Sequence, residues 1–498
     1  MIPLFLSLLV ILPATLLFDA FARPRAGTLL RSGAGSLLLV LMTLFGFGVL
    51  LGFSGNPALA AILVLAFHLL LVVASNAKNR MLGEPLLFSD LALVGAVFRH
   101  PQFYFSALGR SQKIGGIATL ALLAAAFVCL FEEDMRLRVS GLAIGLLALA
   151  LLGLCLRTDT FRRLAAEPSA DTDVATLGLA STLLLYWMRW RSDAAGSDPR
   201  GSDPSPFQSN ATVEFGDGTI PEIIVVVQCE SFSDPRELFG ERGAELPLLA
   251  SARREALLWG DLLVSGFGAY TMRTEYGVLF GQEEEALGFR RYDPYLTAIG
   301  EGSLALPNRL GTDRWRSFFV HPHDMRFYSR HRILPRAGFS KLIDESEFDK
   351  PSPDESRYVK DTVVADKILE VARGTASRAF IYAVTIENHG PWSGQDEAAH
   401  EPLLTHYNGL VQAGDAMLGQ LRDGIASLGR PAVLAFFGDH RPSIPGASEP
   451  GGDRHTPYVV LQFDAKGQIV PGSNRRENIT PAQLHHAILA LSRESGTR

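Results

Sequence analysis

The sequence predicts two folds in one chain: an α-helical transmembrane bundle of about five helices, then an α/β domain with a largely parallel central sheet flanked by helices. Three observations carry this. Apolar residues crowd the first 160 positions in long runs, a polar stretch follows, and beyond it short continuous apolar runs alternate with helical patterns. The domains divide as 1–160 (membrane), 161–210 (interfacial helix and flexible linker) and 211–498 (catalytic).

The membrane runs are residues 2–18, 36–53, 57–74, 114–131 and 139–156, each about long enough to cross a hydrocarbon core as helix. The first has no basic segment before it, so it reads as an anchor and not a cleaved signal. Arg23, Arg25 and Arg31 in the first loop and Lys78, Arg80, Arg99, Arg110 and Lys113 in the third place both loops in the cytoplasm. Five crossings would then leave the C-terminal half inside the cell. A sixth crossing over Val174–Met188 would reverse this, but that run is short and reads better as an interfacial helix with Tyr186, Trp187 and Trp190 at headgroup level. Phe98, Phe103, Tyr104 and Phe105 give the third loop aromatic anchors of its own.

Residues 192–210 are Ser, Asp, Pro and Gly, the composition of a flexible tether. After it, strands are predicted at 222–228, 317–321, 379–386, 432–437 and 458–463; their unbroken apolar character suits strands covered on both faces. Tyr407, Leu410, Val411, Gly414, Met417, Leu418, Leu421 and Ile425 recur at helical spacing as the core stripe of a long helix. Cys129, Cys155 and Cys229 read as small buried hydrophobes, not a disulfide framework. A net charge of -6 with no dense basic run excludes nucleic acid as a partner.

A site in such a sheet lies beyond the carboxyl ends of the strands. Four ends carry acids and imidazoles: Gln228-Cys-Glu230, His321-Pro-His323-Asp324, Glu387-Asn-His389-Gly-Pro-Trp392 and Gly438-Asp439-His440-Arg441. One such residue after a strand is ordinarily a cap or turn residue; four clusters on one sheet point to a site. In Ser265–Gly281 a small-residue turn delivers Thr271 to a helix start, where a Thr alone would read as an N-cap. Together Glu230, Asp439, His440 and Thr271 form an oxygen and nitrogen set suited to manganese, magnesium or zinc. A metal would supply the activation that a hydroxyl nucleophile lacks. Arg273 and Glu275, one turn further on, read as structural.

These motifs, in this order, resemble the lipoteichoic acid synthase and phosphoglycerol transferase branch of the alkaline phosphatase and sulfatase superfamily. The resemblance implies an alkaline phosphatase-like domain with Glu230, Thr271, Asp439 and His440 as metal ligands, usually to manganese, and Thr271 as nucleophile. It places His321 and Arg330 at the phosphoglycerol group and Tyr328 where a Trp is common. It makes His389 a catalytic histidine for phosphate binding or proton transfer, and counts Trp392 with the substrate-binding residues. His455 is a weaker candidate for a phosphate contact or a ligand's support, and Arg330, beside Arg326, His331 and Arg332, also reads as a solvated charge.

The implied reaction moves glycerol phosphate from phosphatidylglycerol, through a phosphothreonine, to an envelope glycan or polyol-phosphate acceptor. The expected setting is the bacterial inner membrane, multi-pass, with the catalytic domain periplasmic or extracellular, which the count of basic loop residues opposes. A sulfatase is a rival, but its nucleophile is a Cys or Ser in a Cys/Ser-x-Pro-x-Arg setting that Thr271-Met-Arg-Thr-Glu lacks. A phosphoethanolamine transferase would be expected to carry several disulfides that three scattered cysteines cannot supply. A phosphodiesterase-type hydrolase or a catalytically dead membrane scaffold are the remaining alternatives.

Overall fold

A computed structural model describes residues 2–25, 27, 31–92, 110–196, 220–352, 356–392, 400–472 and 474–492. The third-loop aromatics Phe98, Phe103, Tyr104 and Phe105 and most of the tether lie outside them. The described chain divides into two compact units, Met1–Ala195 and Gly196–Arg498.

In the first unit, five helices are long and apolar enough to cross a membrane: α1 (Ile2–Ala20), α2 (Gly33–Ser54), α3 (Pro57–Leu82), α4 (Arg110–Leu130) and α5 (Met135–Arg157). Helices α2 and α5 pack backbone to backbone. A Cβ on Gly48 would come within 2.4 Å of Gly145 N, and one on Gly141 within 2.5 Å of Gly52 N, so only glycine permits the approach. Cys129 on α4 is exposed on the bundle surface, not buried as its composition suggested, because α4 turns an unburied face outward.

The predicted helix over Val174–Met188 is instead two helices, α6 (Ala170–Leu177) and α7 (Leu179–Gly196), broken at Gly178 with φ 89°. They are fixed to the first loop. Asp19 accepts the Leu179 amide (2.9 Å), and Arg31 donates to the carbonyls of Asp19, Ala22 and Ala175 (2.7–3.0 Å). Asn76, past the middle of α3, exchanges bonds with Phe21 and Arg23 of the same loop (3.0 and 2.7 Å). The opposite end is closed by Asn56 and Ser54 against Glu132 (both 2.9 Å). The described part of the first loop and the C-terminal part of α3 therefore share one end with the junction of α6 and α7.

The second unit holds an eight-stranded sheet in the order β4-β3-β5-β1-β6-β7-β2-β8. The strands are β1 (Ile223–Cys229), β2 (Leu258–Leu262), β3 (Trp315–Val320), β4 (Lys341–Ile343), β5 (Arg378–Val384), β6 (Ala432–Gly438), β7 (Thr456–Phe463) and β8 (Arg475–Arg476). All pairings are parallel except those of β7, which runs antiparallel to β6 and β2. Every residue of β1, β6 and β7 is buried, as strands covered on both faces must be. Helices α8 (Thr271–Phe280), α9 (Asp361–Gly374), α10 (His400–Ala426) and α11 (Pro481–Leu491) pack around it. Helix α10 is the long helix foreseen: Tyr407, Val411, Met417, Leu418, Leu421 and Ile425 are buried, and Gly414 admits the Phe232 ring.

Candidate active site

The central strands β1 and β6 run side by side and deliver their last residues together. After Cys229 the chain turns sharply, with Ser231 in the left-handed region at φ 50°. Gly438 closes β6 beneath that turn, where a Cβ would lie 1.8 Å from Phe232 O, so glycine is what lets Asp439 come up against it. Asp439 Oδ1 accepts the backbone amides of Ser231 (2.8 Å) and His440 (2.9 Å). Its other oxygen, Oδ2, is buried and has no hydrogen-bond partner.

His440 Nδ1 lies 3.2 Å from the Arg441 carbonyl. A carbonyl only accepts, so Nδ1 carries the proton and Nε2 presents a lone pair. That nitrogen stands 3.4 Å from Glu230 Oε1 and 3.5 Å from Asp439 Oδ2. Glu230 is fixed by its amide on Thr385 Oγ1 (3.1 Å) and by the Ser231 hydroxyl (2.9 Å). One donor atom from each of the three residues lies within 4.8 Å of the others, all buried. Burial, and then the Asp439 carboxylate, push the Glu230 carboxyl up to about 8. Two carboxylates and an imidazole lone pair converging without a cation, one oxygen orphaned, fit a divalent ion.

Thr271 is stitched to the same place. Gln228 Nε2 donates to its carbonyl (3.4 Å), Thr274 Oγ1 donates to Asp439 O (2.8 Å), and Gly268 N donates to Arg441 O (2.8 Å). The capping position of α8 belongs to Tyr270, left-handed at φ 78°, with the Arg273 guanidinium 3.9 Å over its ring. Thr271 is thus the first helical residue and not the N-cap, so its hydroxyl is not consumed in capping, and it sits at the positive end of the helix.

The other foreseen residues divide. His321, buried at the end of β3, gives its Nδ1 proton to Val384 O (2.9 Å); burial, with the Arg330 charge, pushes its pKa well below the ordinary imidazole value. His389 gives Nδ1 to Gly390 O (2.7 Å), and burial again lowers it. In both, burial favours the neutral imidazole, with the proton held on Nδ1. Arg330 is no solvated charge: it is 2% exposed and grips Glu275 through Nε (3.0 Å) and Nη2 (2.5 Å). Glu275 therefore joins α8 to the 321–330 segment, and Tyr295 donates a further bond to it (2.5 Å). Tyr328, left-handed at φ 54°, lies under the Arg330 guanidinium at 5.2 Å.

Trp392 and His455 are placed apart from these. Trp392 is a core residue, its indole donating to Asn388 Oδ1 (2.9 Å) and its ring edge-on to Tyr407. The His455 imidazole is engaged by Asp453, Glu237 (2.6 Å) and Arg441 (2.9 Å), not by Glu230, Asp439 or His440. Sequence reasoning missed Tyr358 and Asp361. Tyr358 lies in the segment before α9 and Asp361 opens that helix, and neither position carries a strand-end pattern to announce it.

Comparison with known proteins agrees with this architecture. The profile of the sulfatase family matches residues 222–493, more than half of the chain. A capsular polysaccharide biosynthesis protein, RkpI, of Rhizobium meliloti (strain 1021) is 29% identical over 455 residues, covering 88% of this chain and 84% of that one. The integral membrane lipooligosaccharide phosphoethanolamine transferase A of Neisseria meningitidis superposes with a TM-score of 0.55 over 99% of this chain and 96% of its own, at 14% identity. The Streptococcus pyogenes phosphoglycerol transferase GacH, in complex with sn-glycerol-1-phosphate, has a TM-score of 0.43 at 16% identity, over 62% and 80% of the two chains. This chain therefore belongs to the sulfatase family, within the alkaline phosphatase and sulfatase superfamily, and bears that domain behind five helices long and apolar enough to anchor it in a membrane.

Proposed function

We propose that the protein transfers glycerol phosphate from phosphatidylglycerol to an envelope glycan through a covalent Thr271 intermediate. The observation that carries this is the buried Glu230, Asp439 and His440 cluster, its Asp439 oxygen orphaned, bonded into the turn that presents Thr271. These three and the Thr271 hydroxyl would hold a divalent cation, with manganese our choice over magnesium or zinc. Such an ion, when bound, lowers the proton affinity of a hydroxyl and offsets phosphoryl charge.

Thr271 Oγ1 gives up its proton and attacks phosphorus, the bond from phosphorus to the diacylglycerol oxygen breaks, that oxygen takes up a proton as diacylglycerol leaves, and glycerol phosphate stays on Thr271. An acceptor hydroxyl then attacks phosphorus, the bond from phosphorus to Thr271 Oγ1 breaks, and Oγ1 takes up a proton to restore the hydroxyl. His389, neutral and with Nε2 as its basic nitrogen, takes the acceptor's proton in the second step. Arg330 has Nε and Nη2 committed to Glu275, which leaves Nη1 for a phosphoryl or glycerol oxygen.

The headgroup assignment rests on charge. Arg330 is a cation, His321 is neutral, and the Glu275 carboxylate is already compensated, a setting for a neutral polyol more than for an ammonium group. The whole-length likeness to a phosphoethanolamine transferase keeps ethanolamine as the second reading. A glycan acceptor is supported by the name of the R. meliloti relative. We place the catalytic unit on the outer face of the inner membrane. Arg31 and Lys78, counted among the cytoplasmic charges, are paired with Asp19 and Asp90 inside the fold.

The test uses the full chain in detergent with manganese, following diacylglycerol released from labelled phosphatidylglycerol and, in parallel, labelled phosphatidylethanolamine. Thr271→Ala should lose activity by about 10³-fold or more. An unimpaired Thr271→Ala would overturn the mechanism, and preference for the ethanolamine lipid would replace the headgroup.

A further inference from the structure

Tyr358 lies in the segment between β4 and α9, outside every motif used above. Its ring packs edge-on against His389, with centroids 6.1 Å apart and planes at 70°. Its hydroxyl is buried and donates no hydrogen bond; the Arg357 guanidinium, 4.9 Å over the ring, is felt at the phenol oxygen as a donor but cannot accept its proton. The Glu230 carboxylate is close enough for its charge to be felt at the phenol; burial dominates, and the phenol is pushed up to about 12. Tyr358 is therefore an O–H donor at any working pH.

The segment is built to hold it there. Ser356 Oγ donates to Tyr358 O (2.7 Å) and accepts its amide (3.3 Å), and Val359 is buried behind it. The Asp361 amide then donates to Glu387 Oε2 (2.7 Å), tying the segment to the turn that carries His389. A buried donor with no partner is unfavourable unless a ligand completes it. Between His389 and Glu230, that ligand is an oxygen of the reacting group. Arg357, exposed and itself felt by His389, adds positive charge on the same side.

We infer that Tyr358 is a phosphoryl-binding residue, donating a hydrogen bond to a non-bridging oxygen of the phosphodiester and of the phosphothreonine, with Arg357 beside it. The inference rests on the proposed reaction class but not on the headgroup. It also gives the site a neutral, fixed donor in addition to the residues that would hold the metal. Such a donor stabilises charge without competing for the cation.

The test separates the two readings. Binding of sn-glycerol 1-phosphate to the manganese-loaded full chain is measured by calorimetry for wild type, Tyr358→Phe and Arg357→Ala, alongside thermal unfolding. Tyr358→Phe keeps the ring that packs on His389, so unfolding should be unchanged while affinity falls roughly 10- to 100-fold, and Arg357→Ala should fall less. Turnover of whichever lipid the wild type accepts should drop by a similar factor, so a wrong headgroup leaves the inference testable. Wild-type affinity and turnover in Tyr358→Phe would overturn it even if Thr271→Ala behaves as proposed.

Discussion

Two Glu, Asp and His clusters sit near one another in sequence and look alike as compositions: Glu230, Asp439 and His440, and Glu237, Asp453 and His455. In both, one donor atom per residue falls within 4.8 Å of the others. Their surroundings differ. The first is buried and contains no cation, and Asp439 Oδ2 is left with no partner. The second is partly exposed and already holds one, since Arg441 Nη2 reaches Glu237 Oε1 at 2.8 Å and His455 at 2.9 Å. Charge balance, and not residue type, separates a metal site from a salt-bridge network.

The comparison breaks most sharply on metal content. Asp439→Asn should abolish tight manganese binding and reduce activity by about 10³-fold or more, the scale set by losing a site's main charge-stabilising group. Asp453→Asn should leave one bound ion per chain and activity within about fivefold, because exposed ion pairs contribute little. Elemental analysis of the two purified variants decides this. Loss of the ion in Asp453→Asn would make the rim cluster the metal site.

A third carboxylate extends the series. Glu275 is fully buried like Glu230, yet it is compensated like Glu237, by the Arg330 guanidinium. Removing one partner of such a pair strands the other charge away from water, which costs roughly 3–5 kcal/mol. Glu275→Gln should lower the unfolding free energy of the full chain by that order, read from its denaturation curve. A double replacement by Leu at 275 and Met at 330 should recover part of it, because well-packed apolar side chains often substitute for a buried pair. Equal stability of Glu275→Gln and wild type would mean that the pair does not join α8 to the 321–330 segment as its geometry requires.

Much of this was legible in the sequence, and the exceptions have physical causes. Strands β1, β5, β6 and β7 are continuous apolar runs, so their ends, and with them Glu230, His389 and Asp439, could be found. Strand β2 could not: its Leu-Trp-Gly-Asp-Leu is interrupted by Gly260, which is needed where Glu477 O would stand 2.3 Å from a Cβ. Strands β4 and β8 are too short to leave a pattern. The alternative reading of Arg330 as a solvated charge arises because Arg326, His331 and Arg332 surround it in sequence, whereas its partner Glu275 comes from a helix 55 positions away. Tyr358 and the Arg441 bridge are likewise facts of folding between distant segments, which spacing does not encode.

Asp361 completes the series as a buried carboxyl with neither metal nor guanidinium. It is fully buried, Oδ1 has no partner, and burial together with the Glu387 charge pushes it up to about 8. Its compensation is a proton. In the unfolded chain the same carboxyl titrates near 3.9. Between these values the folded state holds a proton that the unfolded state has lost, so stability is full below about pH 4 and declines as pH rises towards 8. Asp361→Asn supplies a permanently neutral side chain of nearly the same shape. Unfolding midpoints taken with chelator present should fall between pH 5 and 8 in the wild type and flatten in this variant. The effect is the smallest of the set, because Glu387, itself raised by burial, contributes a slope of the same sign that the variant retains. An unchanged slope in Asp361→Asn would mean that Asp361 is ionised in the fold, and a cation would then have to compensate it as one does Glu275.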